Sequence, residues 1–217
     1  MNPVKTAPGT EPRFFGRVMT WLAAGFGAAL AGIVLIGPMI PQSLLMPLYF
    51  LALGVLLFSA FARKAAKALA GPLAIAIPAI LGIISYPTLN NYVASGMGDI
   101  IVMAAAGTVV IFGSMAIWGW TTTKNLSGWY KPMFFILLGV IAVSLLNAFV
   151  FHIGTLELVI SLGVLVIFSI YTVMDIQSLK NADKYGTDAH PAMYALNIFL
   201  NIWNIFMSLL RIFSAFR

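Results

Sequence analysis

The sequence predicts an all-α membrane protein: a bundle of seven transmembrane helices with the C-terminal helix at its centre. Three observations predict it. Of 217 residues, 61% are hydrophobic and only 8% charged, with a mean hydropathy of +1.00. The apolar residues fall into seven runs of about 20, the length that spans a bilayer as a helix. The last run alone carries a regular stripe of polar side chains.

A soluble domain has roughly a quarter of its residues charged, because its surface must be solvated. This chain cannot cover a globule with polar surface, and lipid is the solvent that tolerates it. The length holds at most about eight spans with short loops, which leaves no room for a second, soluble domain. There is no cysteine, which excludes disulfides, iron–sulfur clusters and thiolate zinc sites. The net charge of +6 does not point to nucleic acid, because Lys and Arg gather at the ends of the apolar runs.

The spans are expected at 14–36, 43–62, 68–89, 99–121, 131–151, 155–177 and 191–213. Residues 1–13 read as a disordered cytoplasmic tail, and 14–217 as the seven-helix domain. The first run is too long for the 7–15-residue apolar region of a signal peptide, so it reads as a retained span. Between the runs lie Gly37-Pro38 with Pro41, then Arg63-Lys64 and Lys67, then Asn90-Asn91. Lys124-Asn125 with Ser127-Gly128, His152 with Gly154, and the polar stretch 180–190 complete the breaks. All are short enough for helix hairpins.

Basic residues fall in the tail (Lys5, Arg13, Arg17) and in the second, fourth and sixth connections, and none falls in the other three. Positive loops stay in the cytoplasm, so the N-terminus is expected there and the C-terminus outside. Arg211 and Arg217 at that outer end run against the rule. Trp21, Trp118, Trp120 and Trp129 lie near span ends, where indoles prefer the interface.

An ionisable group within a span is costly unless it faces protein or water. Glu11, Asp183 and Asp188 lie in the tail or a loop, and Asp99 and Glu157 open spans, where a carboxylate suits a helix N-terminus. Asp175 is different, lying about one turn inside the cytoplasmic end of the sixth run. It is roughly 27 Å along the helix from Glu157, so the two share no site. Arg63, at the inner end of the second run, is its nearest basic candidate by depth; a plain interfacial aspartate is the alternative.

Asn197, Asn201, Asn204, Ser208 and Arg211 are spaced 4, 3, 4 and 3 apart, which places them on one helix face. Amides are unfavourable in lipid, so this face is expected to point into the bundle. The stripe reads either as interhelical hydrogen-bond glue or as the lining of an ion path. Asn147 and Ser144 in the fifth run read as packing groups, and His152 and His190 as solvated loop residues.

Enzymatic motifs fail on inspection, so no catalysis and no cofactor is expected. Gly96-Met97-Gly98-Asp99 spells the GxGD of intramembrane aspartyl proteases, but such an enzyme needs two facing carboxylates, and Asp175 is expected at the opposite face. A rhomboid-type protease needs a buried histidine, and a retinal pigment needs a lysine in the last span; neither is present. No His/Glu cluster has metal-ligand spacing.

The ordered set Leu146-Asn147-Ala148-Phe149, Tyr171-Thr172-Val173-Met174-Asp175-Ile176-Gln177-Ser178-Leu179-Lys180, and Ala195-Leu196 through Asn204-Ile205-Phe206 to Leu209-Leu210-Arg211-Ile212-Phe213 resembles the Bax inhibitor family. Met46-Pro47-Leu48 and Arg63 in the second run fit the same pattern. The resemblance covers essentially the whole chain, strongly over the last 75 or so residues.

It implies six helices around a central seventh, and a pH-sensitive calcium leak. In leak members two aspartates, on the sixth and seventh helices, share a proton and latch to an arginine on the second. By position these are Asp175, Asn201 and Arg63, so here the second carboxylate is an amide. An acidic position in the second span of some members corresponds to Ala52. Paired carboxylates raise one another's proton affinity, whereas an amide does not repel its neighbour. A weaker or acid-shifted pH response than in di-aspartate relatives is therefore expected. Membrane lipid and Ca2+, passing Asp175 transiently rather than as a resident metal, are the expected partners. The resemblance implies a second function class as well, an interaction protein that modulates a membrane-bound ATP-dependent protease. An unrelated transporter is a third.

Overall fold

The computed structural model describes residues 14–61 and 67–217. These form seven long helices, α1 (Phe14–Ala31), α2 (Gln42–Phe61), α3 (Ala70–Ala94), α4 (Gly98–Thr121), α5 (Tyr130–Leu146), α6 (Gly154–Tyr185) and α7 (Pro191–Ala215). No strand occurs among the described residues. Six stretches are long and apolar enough to cross a membrane, and the apolar part of α2, Gln42–Phe58, is shorter. The tail lies outside the described residues, and so does Arg63.

Local chemistry sets the ends. α1 widens into a π turn at Gly32–Ile36 and tightens into a 3-10 turn at Gly37–Met39, where Pro38 removes a backbone donor. α3 does not stop at Asn90-Asn91 as the sequence suggests. It continues to Ala94 and ends at Gly96, whose φ of 71° is a left-handed value that glycine adopts without strain. α6 likewise runs past its expected end at Gln177 to Tyr185, because Lys180-Asn181-Ala182-Asp183 are compatible with a helix that has left the membrane. Its 32 residues span about 48 Å, well beyond the roughly 30 Å of hydrocarbon.

α7 is the most enclosed helix. Half of its most apolar stretch is buried, against a third or less for the other five long spans. It packs chiefly on α1, α3, α4 and α6, and supplies residues to three of the four buried clusters. Ala195 and Ile198 join Val18, Ile176 and Leu179. Ala192 and Leu196 join Ala70, Ala74 and Ile77, and Ile205, Leu209 and Leu210 join Ile100 and Ala104. The fourth cluster, Met133, Ile167 and Met174, ties α5 to α6.

Helix pairs close on small residues, as expected where lipid gives no hydrophobic drive between helices. At Gly82 of α3 a methyl group would overlap the carbonyl oxygen of Ala29 in α1, and at Gly119 of α4 it would lie 2.5 Å from that of Val173 in α6. Among the described residues α2 packs chiefly on α3.

Candidate functional site

α6 is enclosed on all sides at one level only. Residues 172–177 are six consecutive buried positions, although a lipid-facing helix ordinarily exposes a stripe on every turn. α4 abuts there through Gly119, α1 and α7 through Ile176, and α5 through Met133 and Met174. Asp175 sits in this collar, 6% exposed. It is ten residues before the end of α6, or about 15 Å.

Its carboxylate accepts two hydrogen bonds. Asn201 of α7, 3% exposed, donates from Nδ2 to Oδ2 at 2.7 Å. Tyr130, the first residue of α5, donates its hydroxyl to Oδ1 at 2.9 Å. One side chain thus joins three helices. A buried carboxylate without hydrogen bonds or a cation is strongly unfavourable, and here two neutral donors supply what water would. Among the described residues no basic side chain pairs with Asp175, and no side-chain polar atom that is itself fully enclosed lacks a partner.

The connection before Tyr130 is fastened to α6 just beyond the collar. Gln177 donates from Nε2 to the Lys124 carbonyl at 2.5 Å and accepts at Oε1 from the Leu126 amide at 3.0 Å. Lys180 donates from Nζ to the carbonyls of Trp120 and Thr122, both at 2.9 Å. Asp183 accepts from the Phe15 amide at 2.9 Å, which satisfies an otherwise unpaired N–H at the start of α1. Six of the eight described basic residues, Arg17, Lys67, Lys124, Lys131, Lys180 and Lys184, lie at this end of the bundle, and Arg211 and Arg217 lie at the other.

The polar stripe of α7 divides. Asn201 and Ser208 are buried, Asn204 is half-buried, and Asn197 and Arg211 are exposed. The expectation that all five turn inward is corrected at its two ends. A heptad spacing drifts about 20° per seven residues on a 3.6-residue helix, so the five cover a sector rather than a line. The edge of the buried face cuts through that sector. Asn204 donates from Nδ2 to the Leu200 carbonyl at 2.7 Å, within its own helix.

Asn147 is buried but belongs to a turn. It donates to the Ile153 carbonyl at 3.2 Å and accepts from the Ile153 amide at 3.0 Å, closing the π turn Asn147–Phe151. At that same end Arg217 pairs with Asp99, which gives a charge partner to one of the two arginines that ran against the positive-inside pattern. Asp99 is thus at the opposite end of the bundle from Asp175.

The sequence reading missed Tyr130 and Gln177. Gln177 carried a usable signal, being a polar side chain two residues from Asp175 in an otherwise apolar stretch. Tyr130 carried none, since an aromatic beside a lysine at a span end reads as an interfacial anchor.

Residues 11–217 match the family model described as "Inhibitor of apoptosis-promoting Bax1". The inner membrane protein YbhL of Escherichia coli K12 is 28% identical over 208 residues, covering 90% of this chain and 83% of that protein. An uncharacterized protein of Deinococcus radiodurans is 30% identical over 211 residues, covering 92% and 89%. An uncharacterized membrane protein of Streptococcus pyogenes serotype M1 is 30% identical over 171 residues, covering 77% and 74%.

Proposed function

The chain belongs to the Bax inhibitor family, and from that premise we propose that it is a passive cation (calcium) leak of the bacterial inner membrane, gated where Asp175 meets Asn201 and Tyr130. On this reading all seven helices cross the bilayer, α2 included, with the N-terminus in the cytoplasm and α7 at the centre. The inner-membrane assignment draws on the likeness to the E. coli inner membrane protein YbhL. The protein performs no covalent chemistry on this reading.

One observation carries the proposal: a carboxylate inside the bundle, held by two donors from two other helices, at the level where α6 is enclosed on every side. Ionised, the carboxylate accepts both bonds. Protonated, it becomes a donor itself and the oxygen that carries the proton a weaker acceptor, so one of the two bonds is weakened or reversed. Proton uptake therefore rearranges the contacts that hold α5, α6 and α7 together, and a calcium ion offers the ionised form an alternative partner. Arg63, two residues beyond Phe61 in the sequence and outside the described residues, is the cation that answers Asp175 on this reading, and α2 is free to shift because among the described residues it packs mainly on α3.

Purified protein in liposomes loaded with a calcium-sensitive dye tests it. Flux across a pH series is expected from the wild type, with the pH dependence lost in Asp175→Asn and altered in Arg63→Gln. The reading fails if flux is absent at every pH, or if Asp175→Asn leaves both its rate and its pH dependence unchanged.

A further inference from the structure

At the end of the bundle away from the gate, α2, α3 and α7 enclose a groove of about 260 Å³. Its walls are apolar, with Leu45 from α2, Ile84 from α3 and Met207 from α7. Four polar groups interrupt them: the Tyr49 hydroxyl of α2, Ser85 and Thr88 of α3, and Arg211 of α7. Arg211 is exposed, and its guanidinium forms no ion pair or hydrogen bond with any described residue. Of the acids at this end, Asp99 is committed to Arg217, and Glu157 sits exposed in the first turn of α6. The neighbouring hydroxyls of Ser85 and Thr88 also have no hydrogen-bond partner among the described residues, in contrast to Thr108 and Thr172, which bond back to their own helices.

Depth and shape narrow the occupant. Arg211 is four residues before the end of α7, about 6 Å along the axis, a depth from which its long side chain can reach the headgroups of a bilayer that α7 spans. A guanidinium presents paired N–H groups that match phosphate oxygens, and hydroxyls add further donors. The apolar walls would take a chain attached to that phosphate. We propose that this groove binds the headgroup of an anionic phospholipid in the outer leaflet, with Arg211 on the phosphate and Ser85 and Thr88 beside it. The site does not rest on the leak reading, and only its assignment to the outer leaflet rests on the topology proposed with it.

The test is titration of phosphatidylglycerol into the full-length, detergent-solubilised protein, followed by native mass spectrometry and thermal unfolding. One saturable lipid per chain and a raised unfolding midpoint are expected, with phosphatidylcholine and inorganic phosphate giving neither. Arg211→Gln should weaken the lipid about tenfold, the loss of one charge-assisted contact. Arg217→Gln, whose charge is already taken by Asp99, should leave it unchanged. Should Arg211→Gln fail to fold, the double variant Ser85→Ala/Thr88→Val provides the second lesion, expected to weaken binding severalfold. Equal affinity in wild type and Arg211→Gln, or in wild type and the double variant, overturns the proposal. So does an equal loss in both arginine variants, which marks general surface charge, or displacement of the lipid by inorganic phosphate, which marks a free-anion site.

Discussion

Tyr130 and Asp175 meet at 2.9 Å, hydroxyl to carboxylate, at the point where the chain leaves the α4–α5 connection and enters α5. Because Gln177 and Lys180 fasten that connection to α6, Tyr130 approaches from a braced position. Tyr130→Phe removes one of the two donors and leaves ring packing intact. A loss of about 1–3 kcal/mol is expected, the range for stranding a buried acceptor, read from unfolding in detergent. On the leak reading, basal calcium flux should also rise severalfold, because one of two restraints on Asp175 is gone.

Asn201→Asp rebuilds the di-carboxylate of the leak members. Two carboxylates at this separation cannot both ionise freely and titrate as a coupled pair. The variant should acquire a steep pH transition in calcium flux that the wild type lacks. Liposome flux at closely spaced pH values decides it, and superimposable curves would show that the amide is not what sets the response.

Gln177→Leu keeps the volume and removes both bonds to the connection. The Lys124 carbonyl and the Leu126 amide lose their partner, so hydrogen exchange at Leu126 should accelerate by an order of magnitude or more, following local opening rather than global unfolding. Exchange in the middle of α7 should stay unchanged. If both regions speed up together, Gln177 supports the whole bundle rather than the connection.

Gly119→Val forces two methyl groups and a Cβ against the Val173 carbonyl, 2.5 Å from the ideal Cβ, and against Ile176 at 3.1 Å. Overpacking of this kind costs about 1–3 kcal/mol, and the unfolding midpoint should fall accordingly. Gly113→Ala on the same helix meets nothing within 4 Å and should be neutral or mildly stabilising, since alanine is the better helix former.

Asp99→Asn breaks the Arg217 pair, whose side chains are about half exposed, at 52% and 48%. Such pairs contribute little, so no measurable shift in the unfolding midpoint is expected. A large shift would assign Asp99 a role beyond holding the C-terminus.

The fold was legible because lipid imposes a simple rule: an apolar run of span length becomes a helix. Errors arose where that rule stops applying. Hydropathy locates the membrane boundary, not the helix boundary, so the expected ends at Leu89 and Gln177 fall short of the ends of α3 and α6. That Asp175 and Asn201 turn inward rested on one argument, that lipid rejects polar side chains; that they meet was implied only by the resemblance to the Bax inhibitor family. The same argument applies to Gln177, and it went unflagged because it stood at an expected span end. Tyr130 was out of reach, because its partner is 45 residues away and no local periodicity encodes that pairing.

The enclosure of α6 at residues 172–177 has a kinetic corollary. With four neighbouring helices packed around that turn, α6 has no face there open to lipid or water among the described residues. On the proposed reading, each permeation event must await separation of packed helices, so transport should be slow and steeply temperature-dependent, closer to a carrier than to an open pore. A conductance that barely changes on cooling would mean that ions travel by a route that bypasses this turn.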